Sequence, residues 1–190
     1  MNDLNKTASV LLEYERIKAN VAQDPSCCRE LDSFLQMADL KPILKLPFLA
    51  MEDTICGKKE KYTLIAETWM QEEEDTSGWV LLALADTLEQ MSRMIYEHYR
   101  TLQNLFQSKL DDYLSQEFSR DVMAGLAILK ACKLELVLTE HYVEEGLRRV
   151  KLSDRNLEVV IDKSMEKEFE NLAEISCKVI KETWGMEDGE

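Results

Sequence analysis

The chain has 190 residues, of which 45% are hydrophobic and 32% charged, enough apolar material to bury one sizeable core. With only 6 Gly and 3 Pro it lacks the turn residues of an all-β fold, and the apolar content argues against disorder along its length. A balance of 23 basic to 37 acidic side chains, net charge -14, repels phosphates, so nucleic acid is excluded as a first partner.

The acidity is spread along the chain, with 9 basic and 15 acidic residues up to Asp75 and 14 and 22 beyond it. Five cysteines, two of them adjacent at Cys27 and Cys28, do not form the even, spaced set of a secreted disulfide framework. The first residues carry no charged-then-apolar leader pattern. The longest apolar run, Trp79 to Ala85, is far below the roughly 20 residues that span a bilayer. These features point to a soluble, cytoplasmic protein.

From Asp3 to about Ala22, Val10, Tyr14, Ile17 and Val21 form the seam of an amphipathic helix that Asp24-Pro25 ends. Ser26 is placed to cap a second helix with Leu31, Phe34, Leu35 and Ala38 facing inward. Pro42 and Pro47 bracket an irregular stretch, and Phe48 to Cys56 reads as a short helix closed by Gly57. Tyr62, Ile65 and Trp69 share one face of a helix from Lys61 to about Gln71, before the acidic loop from Glu72 to Gly78.

Beyond Gly78 the pattern lengthens. Leu81, Leu84, Leu88, Met91, Ile95, Leu102, Phe106, Leu110 and Tyr113 hold a three-or-four spacing, with Tyr99 filling the one long step. Without Pro or Gly to interrupt it, one helix from Ser77 to Ser115 is expected, about 58 Å long. A second stripe runs through Phe118, Val122, Leu126, Leu129, Cys132, Leu136, Val143, Leu147 and Val150, and a third through Leu157, Ile161, Met165, Leu172, Ile175 and Val179 towards Trp184. The expected fold is therefore all-α: a single domain in which shorter helices over residues 1–76 pack at one end of an elongated antiparallel bundle of long helices over 77–184. A polar tail of residues 185–190 follows. The alternative to a chain break near Ser115 to Ser119 is one rod that only a homodimer could cover.

No phosphate loop, dinucleotide fingerprint, nucleophile elbow or Cys-x-x-Cys is present, and neither His98 nor His141 has a ligand at metal-binding spacing. The sequence therefore suggests no enzyme, cofactor or metal. The least implausible nucleophile is Cys56, which Gly57, Lys58, Lys59 and Lys61 follow with positive charge. Arg148, Arg149, Lys151 and Arg155 form the densest basic cluster, at a helix end where cations are favoured, and offer a small site for an acidic peptide or phosphoinositide headgroup. Trp79, Tyr96, Tyr99, Tyr142 and Trp184 lie at stripe edges or ends, where a slim bundle leaves aromatics uncovered. Together these nine residues are the candidate contacts of a non-enzymatic adaptor, scaffold or complex subunit that binds other proteins. A lipid-binding helical dimer and a cysteine-dependent enzyme are the competing readings.

Overall fold

The computed structural model describes residues 3–72, 75–91, 96–117, 121–137, 142–146 and 148–149, with side chains from residue 10 onward, Leu12 excepted. The described residues are predominantly helical and contain no strand. The helices are α1 (Asp3–Gln23), α2 (Cys28–Met37), α3 (Leu46–Ile55), α4 (Tyr62–Gln71), α5 (Gly78–Gln90), α6 (Tyr96–Ser115) and α7 (Val122–Lys133), with 3-10 turns at Pro25–Cys27 and Pro42–Lys45. Residues 142–146 are again helical.

The first four helices follow the sequence pattern closely. Tyr14, Ile17 and Val21 of α1, Leu31, Phe34 and Leu35 of α2, and Tyr62, Ile65 and Trp69 of α4 are all buried. The turn into α2 departs in detail: Asp24, not Ser26, is the capping residue, its carboxylate accepting the Ser26 N–H at 2.9 Å. Pro25 then sets a 3-10 turn, and α2 starts at Cys28, one residue later than a Ser26 cap would place it.

The long helix expected from Ser77 to Ser115 is two helices. Its first part, α5, is the centre of the fold: Val80 to Leu88 are buried all round, against α3, α6 and α7. An unbroken apolar run of this kind belongs to a helix without a wet face. At Met91 the backbone turns extended, with φ -77° and ψ 138°. No Pro or Gly does this. The Thr54 hydroxyl at the end of α3 donates to the Gln90 carbonyl at 2.8 Å, satisfying one of the acceptors that a helix end leaves open.

The second expected long helix is also divided. It begins at the Asp121 cap, whose carboxylate accepts the N–H groups of Met123 and Ala124 at 3.1 and 3.2 Å. It stops at Lys133 because Glu135 adopts a left-handed φ of 57°, with the N–H of Leu136 reaching back to Ala131 and that of Glu135 to Cys132. The same closing motif ends α2 at Asp39 (φ 56°) and α3 at Gly57 (φ 64°). The third expected helix lies outside the described residues.

Side-chain contacts fix the helix directions. Gly78 lies beside Asp121 and Asp86 pairs with Lys130, so α5 and α7 run the same way. Lys109 donates to the Asp75 carbonyl at 3.0 Å and Gln116 to Thr76 at 2.9 Å, which brings the end of α6 back to the start of α5. Thr63 bonds His98 at 3.1 Å and the Glu72 charge just past α4 acts on Lys109 of α6, so the two helices start side by side and run together. The helix of residues 142–146 closes over α7: a Cβ on Gly146 would sit 2.8 Å from the Leu129 side chain.

Candidate functional site along helix α6

The basic cluster does not form a common surface within the described residues. Arg149 is 3% exposed. Its guanidinium bonds Glu145 at 2.7 Å and the Tyr113 hydroxyl at 3.1 Å, and stacks over the Tyr113 ring at 4.8 Å. Tyr113 in turn donates to Asp121 at 3.2 Å, so Arg149 helps hold the carboxylate that starts α7. It is a packing residue rather than a surface contact. Arg148 is exposed and paired with Glu145 at 2.7 Å. Lys151 and Arg155 lie outside the described residues.

The aromatics separate in the same way. Tyr99 is buried on the inner face of α6, and Trp79 is half-buried, its ring edge-on to Tyr14 at 5.5 Å. Both were expected at the surface. Trp79 turns inward against Tyr14 of α1, and Tyr99 lies in the buried row of α6. Tyr142 is half-buried and its hydroxyl donates to Asp111 of α6 at 3.3 Å. Burial, then the Asp111 charge, raises the pKa of that hydroxyl. Tyr96, at the start of α6, is 70% exposed. Trp184 lies outside the described residues.

Two of the sequence candidates, Tyr96 and Tyr142, therefore lie along one side of α6, at opposite ends of it. The inner face is the row Tyr99, Leu102, Phe106, Leu110 and Tyr113, all buried. Tyr96, Gln103, Gln107 and Leu114 follow at steps of seven, four and seven, a single column flanking that row. His98 and Leu105, also seven apart, flank it on the opposite side, the side that Thr63 of α4 touches. The column thus faces away from α4, with exposed Tyr96 at one end, half-buried Gln103 and Gln107 along it, and Leu114, packed against the core, at the other, where Tyr142 bonds Asp111. Between Tyr96 and Asp111 the helix is about 22 Å long.

The remaining exposed apolar side chains, Met37, Ile55, Leu64 and Met70, sit on three other helices, as scattered hydrophobics do on most protein surfaces. Leu64 and Met70 were legible as apolar residues off the Tyr62, Ile65, Trp69 stripe, but no sequence argument joined them to a site.

Cys56 is exposed at the end of α3, while the neighbouring Lys61 ammonium is taken by Glu52 at 2.8 Å. Burial, with the charge of Glu52, raises the thiol pKa of Cys28, and burial pushes that of Cys132 up to about 11. Neither thiol is poised as a nucleophile. Among the described residues no His, Cys, Asp and Glu side chains gather into a metal-binding group, and no helix is long and apolar enough to cross a membrane.

Sequence reading missed a buried ionic group at the centre of the fold. Asp86 of α5 is 1% exposed and accepts from Tyr14 of α1 at 3.0 Å, from Lys18 of α1 at 3.3 Å and from Lys130 of α7. Lys130 also reaches Glu89 at 2.9 Å. Burial works to raise the Asp86 carboxyl, but the charges of Lys130 and Lys18 and the bonds from Lys130 and Tyr14 hold its pKa below the ordinary value. The Tyr14 hydroxyl is pushed well up by burial and by Asp86. Every polar atom here has a partner within the chain, so the group joins three helices rather than offering a site.

Compared with protein families, with curated proteins and with solved structures, the chain matches none.

Proposed function

We propose that the protein is a non-enzymatic interaction module, an adaptor or subunit of a larger intracellular assembly, that receives a partner helix along α6. The reading extends to an antiparallel helical scaffold, which the directions of α4 to α7 support. The observation that carries it is the column of Tyr96, Gln103, Gln107 and Leu114, with an aromatic 70% exposed at one end and Tyr142 bonded to Asp111 near the other; Arg148 is exposed on the helix that Tyr142 begins. A helix laid beside such a column is read through anchors at helical spacing. An exposed tyrosine and an arginine are the residue types that contribute most to protein contacts.

Affinity capture from the native cell with mass spectrometry tests this, using Tyr96→Asp and Arg148→Glu against Leu64→Asp, whose side chain is 58% exposed on α4. The two α6-side variants are expected to release a fixed set of partners that Leu64→Asp retains. Full retention by both would contradict the proposal.

A further inference from the structure

We draw no further inference here: the strongest candidate, the side-chain cluster before α5 in which Lys41 bridges Glu72 and Asp75 and the buried Lys109 holds the Asp75 carbonyl, is an acidic cluster that the chain's own lysines occupy, with no second observation pointing to a ligand.

Discussion

Asp86 shows most clearly what single residues contribute. Its carboxylate ties α1 to α7 through α5, and removing it leaves the buried Tyr14 hydroxyl without its acceptor and Lys130 with Glu89 alone. Breaking one side of a buried ion pair costs about 3 to 5 kcal/mol, so Asp86→Ala is expected to lower the unfolding free energy by that order in urea titrations. The pH dependence follows from the depressed pKa. A carboxyl held below its ordinary 3.8 contributes stability that is present above that value and lost as pH falls through the lower folded one. The wild type should therefore lose stability below about pH 4 more steeply than Asp86→Asn, and parallel curves would refute the assignment. Left-handed residues supply a second test. Gly57 has φ 64° and open space around its Cα, so Gly57→Ala should cost about 1 kcal/mol through backbone strain alone. Asp39 holds the same conformation at the surface, and Asp39→Gly should raise stability by about 0.5 kcal/mol. Thermal unfolding of the two variants checks both signs.

At the scale of elements, the boundaries that sequence missed are those closed by tertiary contacts. Gly57 announces the end of α3, and Asp24-Pro25 the end of α1, because backbone geometry alone requires such residues there. The ends of α5 and α7 carry no such mark. One depends on the Thr54 hydroxyl, 36 positions away, and the other on a glutamate in a conformation usually left to glycine. Periodicity of buried positions was legible even so: the row through Leu102, Phe106, Leu110 and Tyr113 is the inner face of α6 as the spacing predicts. The stripe gives the face of a helix but not its length. The same distinction explains the site. Tyr96 and Arg148 could be read as surface residues. Tyr99 and Arg149 could not be told from them until α6 was seen to turn back over α5. The start of α5 offers a further test of element packing. A Cβ on Gly78 would lie 2.3 Å from the Asp121 carboxylate that caps α7. Gly78→Ala is expected to cost about 1 to 2 kcal/mol by displacing that cap. With Asp121→Ala already present the added cost should shrink, and strict additivity in the double-mutant cycle would show that the two helix starts do not share this contact.

For the whole molecule, the order of events in the chain leads to the functional reading. A buried α5 is surrounded by α3, α4, α6 and α7, and the helix of residues 142–146 closes over α7. That leaves α6 with two flanks, one touched by α4 and one carrying Tyr96, Gln103, Gln107 and Leu114. The most direct test of the docking claim is a photo-crosslinking scan of α6 in living cells, with the reactive amino acid placed in turn at 96, 98, 103, 105, 107 and 114. Adducts to another protein are predicted at 96, 103, 107 and 114 and not at 98 or 105. Adducts at 98 and 105 with none along the column, or none at any of the six positions, would contradict the account.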